Sequence, residues 1–274
     1  MADKKWGPFQ LGAGRTLIMG VLNVTPDSFS DGGQFLEPDK AVEHACRMVA
    51  DGADIIDIGG QSTRPGSDPV GPEAELRRLR PVLDKLAGEI AAPISIDTFE
   101  PQVAETCLEL GAAAINDVSG LRNPAMIEVA ARHKAPVVLM HMRGTPKTMQ
   151  HDISYRDVVE DLKTFFADRV GEAREKGVQE IMIDPGIGFG KTARHNLEIL
   201  KRLGEFKELG LPVLVGPSRK SFIGKIAGDP AGQRLEGTLA AVSVAVMHGA
   251  DAVRVHDVEA CRRAVRIVDA VRKT

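Results

Sequence analysis

Polar side chains follow most of the short apolar runs in this sequence of 274 residues. An isolated Asp or Asn after a strand is commonly a turn former or a helix cap, so one such residue alone predicts little. In a closed barrel of alternating strands and helices the carboxyl ends of the strands converge, and a full set of polar residues there predicts one site. In chain order the set comprises Asn23, Asp57, Asp97, Asn116, His141, Asp184, Ser218, Arg219, Lys220, Arg254 and His256.

Four members of this set fit a flat heterocyclic ligand. Asp97, Asn116 and Asp184 combine short acceptors with one amide. Lys220 adds a charged donor. Because a carboxylate accepts two parallel N–H bonds from a guanidine-like edge, the expected ligand is a guanine-like or pterin-like ring.

A second group indicates an anion pocket. Arg254 and His256 are two residues apart at the end of the last apolar run, so their side chains lie on the same face of a strand. Asn23 belongs to the first run, which adjoins the last one in a closed barrel. Since Arg recognises phosphate well, the pattern predicts a phosphate group beside the heterocycle.

Several common motifs are absent from the sequence. The segment Asp184–Thr192 (DPGIGFGKT) is one residue short of G-x-x-x-x-G-K-[ST], and it does not contain G-x-G-x-x-G. No serine lies in a G-x-S-x-G elbow, which argues against an acyl-transfer triad. The histidines and cysteines lack zinc-site spacing, and Cys46, Cys107 and Cys261 are expected to be buried thiols in a reducing compartment.

The elements that must position these residues alternate regularly along the chain. Apolar runs that do not alternate with polar residues are typical of buried parallel strands, and a stretch with helical spacing follows each run. The predicted strands are Leu17–Val24, Asp54–Ile58, Ile94–Asp97, Ala114–Val118, Val137–His141, Ile181–Asp184, Val213–Gly216 and Ala252–Val255. The predicted helices are Asp39–Ala50, Ala74–Leu86, Pro101–Leu110, Pro124–Arg132, Ser154–Lys176, Ala193–Glu208, Arg234–His248 and Val258–Arg272.

This alternation predicts an α/β fold, a (β/α)₈ TIM barrel with mobile loops after the first and second strands. The expected domain organisation is one domain over residues 1–274, with residues 1–15 as an N-terminal lead-in. An open doubly wound sheet is the alternative, because periodicity does not establish closure. The two long connections, Thr25–Phe35 and Gly59–Gly71, contain the Gly, Ser and Pro typical of loops at an active-site mouth.

Composition limits the partners of the protein. Hydrophobic residues make up 43% and charged residues 27%, and a formal charge of −3 gives no support to a nucleic-acid or membrane surface. No run approaches the roughly 18 apolar residues of a membrane span, and the first ten residues lack the apolar centre of a secretory leader. A soluble cytoplasmic protein that binds small molecules is therefore expected.

Eight blocks of the sequence together resemble dihydropteroate synthase. They occur in that family's order from the first predicted strand to the last, so the resemblance covers almost the whole chain. One departure is Gln61, where the family usually has Glu. The blocks are Leu22–Gly33 (LNVTPDSFSDGG), Asp57–Ser67 (DIGGQSTRPGS), Ser95–Thr98 (SIDT), Ile115–Gly120 (INDVSG), Met140–Pro146 (MHMRGTP), Asp184–Lys191 (DPGIGFGK), Ser218–Gly224 (SRKSFIG) and Arg254–Val258 (RVHDV).

The resemblance implies a barrel enzyme of folate synthesis, a transferase and sulfonamide target. Such an enzyme joins a dihydropterin-methyl diphosphate to 4-aminobenzoate and releases diphosphate, with Mg²⁺ as cofactor. Carried over by position, the pterin set comprises Asp97, Asn116, Met140, Asp184 and Lys220. The implied diphosphate and Mg²⁺ pocket comprises Asn23 as metal ligand, Arg254 and His256. The implied aminobenzoate site comprises Phe29, Asp31, Thr63, Arg64, Pro65, Phe189 and Ser221, and the residues with implied catalytic roles are Asp31, Arg64, Asp97, Asp184 and Lys220.

The family forms homodimers, and the segment Leu235–Met247 (LEGTLAAVSVAVM) supports the same expectation here. A helix that is apolar around most of its circumference must be buried on both sides, whereas a barrel covers only one. A homodimer through the last helices is therefore predicted.

Two other functions remain open at this point. A pterin-binding methyltransferase has a similar pterin pocket but does not need a diphosphate pocket. A catalytically silent paralogue would bind pterin without turnover. Release of diphosphate that depends on the amine separates the synthase from both alternatives.

Overall fold

Eight parallel strands form a nearly closed barrel in the structure, a computed structural model that describes residues 4–11, 14–25, 37–64, 66–68, 70–230 and 232–274. The strands are a separate hairpin of β1 (Lys4–Trp6) and β2 (Phe9–Leu11), then β3 (Leu17–Asn23), β4 (Ile55–Gly59), β5 (Ile94–Asp97), β6 (Ala114–Asp117), β7 (Val137–Met140), β8 (Ile181–Asp184), β9 (Leu214–Val215) and β10 (Ala252–Val255). The hydrogen-bonded order of the barrel strands is β8-β7-β6-β5-β4-β3-β10-β9, and one parallel bridge between Ile183 and Val213 joins the two ends of that order. The predicted barrel is therefore confirmed, and the open sheet is wrong.

Helices cover the outside of the barrel. They bury Ile, Leu, Val and Ala side chains against the outward-facing residues of the strands in one large apolar core. The helices of the described residues are α1 (Glu37–Ala50), α2 (Pro72–Leu86), α3 (Pro101–Glu109), α4 (Pro124–His133), α5 (Val158–Glu175), α6 (Ala193–Lys201), α7 (Ser221–Ala227), α8 (Leu235–Met247) and α9 (Val258–Val271).

Three local features differ from the predicted elements. Helix α5 begins at Val158, not Ser154, because the Asp157 side chain accepts hydrogen bonds from the N–H groups of Val159 and Glu160 and so caps it. The predicted helix Ala193–Glu208 ends at Lys201 and continues as a 3₁₀ helix, Leu203–Leu209. Helix α7 was not predicted, because its seven residues are too few to show a helical period.

The hairpin β1–β2 closes the amino end of the barrel. Trp6 is 1% exposed, and its indole N–H donates to the Val137 carbonyl at 3.2 Å. Trp6 and Leu11 belong to an apolar cluster formed by the inward-facing residues at the first positions of the strands. The segment expected to be a plain lead-in thus fills this end, which leaves the carboxyl ends of the strands for chemistry.

Two findings bear on location. Within the described ranges, no helix has the length and hydropathy that crossing a bilayer requires. All three cysteines are unpaired; Cys107 and Cys261 are buried as expected, whereas Cys46 is only partly buried.

Candidate active site

A buried ion-pair cluster lies at the carboxyl end of the barrel. Arg254 of β10 donates from Nε to Asp57 Oδ2 and from Nη2 to Asp97 Oδ2, both at 2.6 Å. Asn116 of β6 donates from Nδ2 to the same Asp57 oxygen at 2.9 Å. Because β4, β5 and β6 are neighbours in the sheet, the side chains at their ends meet here. Three of the predicted residues, Asp97, Asn116 and Arg254, therefore lie in one cluster.

Both carboxylates in this cluster keep an oxygen available for a ligand. Oδ1 of Asp57 and Oδ1 of Asp97 are buried without a hydrogen-bond partner among the described residues. Burial raises the pKa of Asp97 to about 7, although the charge of Arg254 opposes the rise. Burial lowers the pKa of Arg254, but Asp57 and Asp97 outweigh it and raise that pKa above its ordinary value. A permanently charged arginine beside unfilled acceptors fits a ligand that brings N–H donors.

Asp184 at the end of β8 is a second buried acceptor. Its Oδ1 accepts the Gly186 N–H at 2.7 Å, and Oδ2 has no hydrogen bond to a described residue. Burial raises the pKa of Asp184 to about 6, with the Gly186 N–H and the charge of Lys220 acting in the opposite direction. Asp184 thus presents one free oxygen in a dry setting, where a hydrogen bond to a ligand is strong.

Lys220 is a partly buried cation whose charge acts on both Asp97 and Asp184. Burial lowers its pKa to about 8, assisted by Arg254 and opposed by Asp184 and Asp97. Its Nζ lies 4.0 Å from the centroid of the Phe189 ring, within the range of a cation–π contact. Ser221 is exposed as the first residue of α7, directly after Lys220 at the N-cap.

Apolar side chains form a small cluster of their own at this mouth, separate from the main core. Thioether and aromatic groups of this kind suit packing against a flat ring. Met140 lies at the end of β7 as predicted, and Phe189 contributes its ring from the loop after β8. The buried members are Val118, Met140, Met142, Met149 and Phe189, with the partly buried Phe99 packed against them.

The residues of the predicted anion pocket lie at the carboxyl ends of the neighbouring strands β3 and β10, and the charge of Arg254 acts on His256. The imidazole Nδ1 of His256 lies 3.0 Å from Ser218 Oγ, which also accepts the His256 N–H at 3.2 Å. Burial lowers the pKa of His256 to about 3, with Arg254 adding to the shift, so the ring is neutral at physiological pH. Asn23 ends β3, and its Oδ1 lies 3.7 Å from the position that a Cβ on Gly59 would occupy.

The loop after β4 carries Thr63 and Arg64 at the rim of the site. Arg64 is exposed, and its guanidinium makes no hydrogen bond or ion pair to any residue that the structure describes. A cavity of about 340 Å³ opens between this loop and the loops after β5, β6 and β7, and it meets the apolar cluster at Phe99 and Met142. The predicted aminobenzoate residues Phe29, Asp31 and Pro65 lie outside the described residues.

Two residues that sequence reasoning left without a role hold this arrangement together. Asp57 is fully buried and binds both Arg254 and Asn116; its position at the end of a strand was the available signal. Gln61 is 3% exposed and donates from Nε2 to Glu75 Oε2 at 3.3 Å, while its Oε1 accepts the Val70 N–H at 3.3 Å. For Gln61, the available signal in the sequence was that this position departs from the Glu that the family usually has.

Metal ligands of the usual kinds do not cluster in the described part of the chain. No group of three or more His, Cys, Asp or Glu there has the arrangement needed to hold a metal ion. The carboxylates Asp57 and Asp97 already share the single positive charge of Arg254. The predicted ligand Asn23 offers one neutral amide oxygen.

Comparison with known proteins identifies the family. Residues 19–256 match the model of the pterin binding enzyme family. Dihydropteroate synthase of Synechocystis is 51% identical over 261 residues, which are 94% of this chain and 90% of the relative. A solved dihydropteroate synthase of Clostridium difficile, in the presence of pteroic acid, has a TM-score of 0.91 and 47% identity, covering 97% of this chain and 100% of that one.

A third protein supports the same relationship. The dihydropteroate synthase of Thermus thermophilus, solved in complex with 4-aminobenzoate, has a TM-score of 0.88 and 45% identity and covers 97% of this chain and 98% of that one. Agreement in sequence and fold extends over the whole barrel and includes every strand that contributes to the site. The chain belongs to the pterin-binding enzyme family and, within it, to the dihydropteroate synthases.

Proposed function

We propose that this protein condenses (7,8-dihydropterin-6-yl)methyl diphosphate with 4-aminobenzoate to give 7,8-dihydropteroate and diphosphate. The observation that carries the proposal is the pair of buried, partly unfilled carboxylates Asp97 and Asp184 beside Lys220, at the mouth of a barrel of this family. The similar structures with pteroic acid and with 4-aminobenzoate contain ligands that correspond to the joined product and to one substrate.

The pterin edge is assigned to the carboxylate side of the site. The free oxygen of Asp184 and Oδ1 of Asp97 accept N–H groups of the guanidine-like ring edge, and Asn116 offers its amide oxygen because its amide N–H is already bound to Asp57. Lys220 supplies a donor to ring heteroatoms. Met140 and Phe189 pack against the ring faces, which keeps water out of these hydrogen bonds.

The diphosphate is assigned to Arg254, His256 and Asn23. Only two N–H groups of Arg254 are engaged with carboxylates, so other guanidinium donors remain for phosphate oxygens. His256 binds as a neutral donor, since its pKa is about 3 in this setting. Mg²⁺ commonly takes few protein ligands and completes its shell with phosphate oxygens and water, and the single amide oxygen of Asn23 fits that mode. When bound, Mg²⁺ would neutralise charge on the leaving diphosphate.

The reaction then needs charge stabilisation more than a strong base. The bond between the pterin methylene carbon and the diphosphate oxygen breaks, and the electron pair leaves with diphosphate. Asp97 and Asp184 stabilise the positive charge that spreads into the ring, while Arg254 stabilises the negative charge on the other side. The amine nitrogen forms the new C–N bond and releases its proton to water; an arylamine is uncharged at neutral pH, so positioning dominates.

The aminobenzoate is assigned to the rim formed by the loops. Thr63, Arg64, Phe189 and Ser221 are the described residues of this subsite, and Phe29, Asp31 and Pro65 complete the proposal. Arg64 supplies an exposed cation for a carboxylate, and the Phe189 ring supplies a face for the benzene ring. The amine thereby reaches the pterin carbon from the mouth of the barrel.

One assay tests the proposed function. The protein is mixed with the pterin diphosphate and Mg²⁺, and diphosphate release is measured with and without 4-aminobenzoate. We expect release that depends on the amine. Pterin binding without amine-dependent release would instead identify a silent paralogue, and methyl transfer from a methyl-tetrahydrofolate would identify the other enzyme class.

A homodimer through α8 and its neighbours is part of the proposal. The inner face of α8 is buried, yet Val244 and Met247 on its outer face are 41% and 46% exposed, and Ile267 of α9 is 68% exposed. An apolar surface of this kind on helices is typical of a subunit interface. Light scattering at micromolar concentration should give about two chain masses; one chain mass would contradict the dimer. A reducing, cytoplasmic location stays a prediction.

A further inference from the structure

Lys191 is buried beside the site, yet the reaction assigns it no contact with substrate. It is 3% exposed, and its Nζ lies 3.0 Å from His141 Nδ1, 3.3 Å from the His141 carbonyl oxygen and 2.9 Å from the Phe189 carbonyl oxygen. An ammonium has three N–H donors and no acceptor, so these three partners use it completely. Nothing remains on Lys191 to bind a ligand, and its role must lie in what it holds.

The backbone that Lys191 holds lies directly on the end of β7. A Cβ on Gly186 would lie 2.0 Å from the His141 carbonyl oxygen, and one on Gly190 would lie 2.8 Å from Arg143 Cβ. Both glycines have positive φ, 67° and 63°, which other residues rarely adopt. The segment 185–190 therefore seats against residues 141–143 without intervening side chains, and the Lys191 ammonium joins the two.

The same segment carries the groups that touch Lys220. A Cβ on Gly188 would lie 3.1 Å from Lys220 Cδ, so the lysine stem runs along this glycine. The Phe189 ring lies under the Lys220 ammonium at 4.0 Å. Any shift of the segment away from β7 would move both the ring and the surface that directs the Lys220 side chain.

We propose that Lys191 is a positioning residue for the condensation: its ammonium fixes the segment 185–190 to the end of β7 and so sets the positions of the Phe189 ring and the Lys220 ammonium. This inference rests on the proposed function. Of these three residues, Phe189 and Lys220 contact substrate in the proposed function, and Lys191 acts through them.

The charge states of the two buried partners agree with this arrangement. Burial lowers the pKa of His141 to about 2, with the Lys191 charge adding to the shift, so His141 is a neutral imidazole. A neutral ring that accepts at Nδ1 must carry its proton on Nε2. Burial lowers the pKa of Lys191 to about 7, opposed by Asp184 and assisted by Lys220, so Lys191 is mainly the three-donor ammonium below that pH.

The first test uses the wild-type protein and needs no activity. Nitrogen NMR of histidine-labelled protein at pH 6 should show His141 as the Nε2–H tautomer, with Nδ1 unprotonated. The variant Lys191→Met removes the ammonium that donates to His141 Nδ1, and the His141 nitrogen signals should therefore change. A wild-type His141 protonated at Nδ1 would overturn the proposal, because Lys191 then makes no bond there.

The second test measures kinetics of Lys191→Met against a matched control. Met fills a similar volume without a buried charge, and such replacements are often tolerated. We expect the KM for 4-aminobenzoate and the Kd for 6-hydroxymethylpterin both to rise about tenfold, because Phe189 and Lys220 belong to the proposed pterin site and Phe189 also to the aminobenzoate site, at a melting temperature within a few °C of the wild type. Lys201→Met at the exposed end of α6 removes the same functional group and should keep wild-type constants.

A double-mutant cycle with Phe189→Leu shows whether Lys191 acts through that ring. The two substitutions should be non-additive, so the double variant resembles Phe189→Leu alone. Kinetic constants of Lys191→Met that match those of Lys201→Met would overturn the proposal. If Lys191→Met does not fold, Lys191→Gln is measured in its place under the same criteria. Gln keeps two N–H donors at this position. An inactive wild-type protein would contradict the proposed function and leave the NMR outcome intact.

Discussion

The loops after β8 and after β4 both border the proposed site, but they are held in different ways. In the loop after β8, Gly188 N–H binds Asn196 Oδ1 at 2.9 Å, Tyr155 OH binds the Gly190 carbonyl at 2.9 Å, and Lys191 binds the imidazole and the carbonyl oxygen of His141 after β7. These partners come from several elements and are largely buried. The loop is therefore part of the folded barrel.

The described part of the loop after β4 depends mainly on itself. Ser67 Oγ lies within hydrogen-bond distance of the Ser62 and Arg64 carbonyl oxygens, at 2.7 and 2.8 Å. Its links to the neighbouring loop are the Gly66 N–H bond to the Pro146 carbonyl at 3.0 Å and an exposed ion pair between Asp68 and Lys147. Exposed ion pairs of this kind contribute little to stability.

The difference assigns separate tasks to the two halves of the site. In the proposed function, pterin recognition uses residues on the barrel and on the firmly held loop, so we expect that half of the site to be formed before substrate binds. In the same proposal the aminobenzoate subsite uses Thr63 and Arg64, and the described part of their loop has few bonds to the barrel, so we expect substrate to supply part of the ordering free energy. Variants that alter one half of the site and leave the other unchanged test this division, and the pterin half is considered first.

Asp184→Asn should have the largest effect. Asn keeps the oxygen that accepts the Gly186 N–H but turns an N–H donor toward the donors of the pterin edge. Unpaired buried partners reduce discrimination by roughly a thousandfold, and calorimetry with 6-hydroxymethylpterin should show a loss of that order. Asp54→Asn, at the amino end of the barrel where Asp54 accepts the Ile18 N–H, is the control and should bind pterin normally. Affinity of Asp184→Asn within a few-fold of wild type would remove Asp184 from the pterin site.

The next prediction is that diphosphate binds before 4-aminobenzoate, and it depends on the loop after β4. If diphosphate with Mg²⁺ organises the loops Thr25–Phe35 and Gly59–Gly71, it should raise the affinity for 4-aminobenzoate by a coupling of about 1–3 kcal/mol, or roughly 5- to 150-fold. Arg64→Ala should reduce that coupling more than it reduces pterin affinity, because Arg64 provides an exposed positive charge to the loop. The check is a pair of calorimetric titrations of 4-aminobenzoate, with and without Mg²⁺–diphosphate.

Two results would count against this account. Equal affinities in the two titrations would show that the aminobenzoate subsite is preformed. Arg77→Ala removes an exposed arginine of α2 from outside the loop, and an equal loss of coupling in that variant would show a general charge effect.

The division between the halves also explains what the sequence predicted. Continuous apolar runs located the barrel strands to within a few residues, because strands covered on both faces leave no polar alternation. The hairpin β1–β2 escaped prediction, since its three-residue strands carry no such pattern and Trp6 is buried only by the assembled barrel. Asp184 and Asn116 were found from their places at strand ends.

The spacing of residues along a strand did not predict how far a long side chain extends from it. Arg254 and His256 alternate correctly on β10, but the Arg254 guanidinium extends across the mouth to Asp57 and Asp97 while His256 remains beside Ser218. Position along a strand determines the face on which a side chain lies, and the charges around it decide where a flexible guanidinium comes to rest. The role of Asp57 as shared acceptor therefore required the three-dimensional arrangement.

Pterin affinity should fall on acidification. Burial raises the pKa of Asp184 to about 6 and that of Asp97 to about 7, so both lose their charge as pH decreases from 8 to 5. The affinity for 6-hydroxymethylpterin should fall about tenfold over this range, from the protonation of Asp184 alone. Asp184→Asn should show a flatter dependence, and an equally steep one would mean that other groups are responsible.

The contribution of Asp97 and Asp184 to folding stability should follow pH in the opposite direction. Each raised pKa means that the folded protein binds the proton more tightly than the unfolded chain, whose Asp pKa is near 3.8. The favourable contribution is therefore complete below about pH 4 and is lost as pH rises through 6 to 7. At pH 8 the melting temperature of Asp184→Asn should equal or exceed that of the wild type, which separates lost affinity from lost folding.

The smallest expected effect concerns Gln61, at the stem of the loop after β4. Gln61 Oε1 accepts the Val70 N–H, and Gln61 Nε2 donates to Glu75 Oε2 of α2, both at 3.3 Å. Arg78 of the same helix donates to the Gly60 carbonyl oxygen at 2.7 Å. Burial raises the pKa of Glu75 to about 8, so at neutral pH this carboxyl is mostly protonated. Gln61 thus anchors the loop without placing two charges together.

Gln61→Leu removes both bonds, each contributing about 0.5–1.5 kcal/mol, so the KM for 4-aminobenzoate should rise about three- to fivefold while the pterin KM stays unchanged. Gln61→Glu keeps an acceptor for the Val70 N–H, and below pH 7 the protonated Glu75 donates to it, so this variant should behave as wild type there. Above pH 8 both carboxylates ionise and repel, and its KM for 4-aminobenzoate should increase with pH, unlike that of the wild type. Gln179→Leu, exposed at the far end of the barrel, is the control. Equal changes in the two KM values of Gln61→Leu would mean that the stem supports the whole mouth, and the two halves of the site would then not be independent.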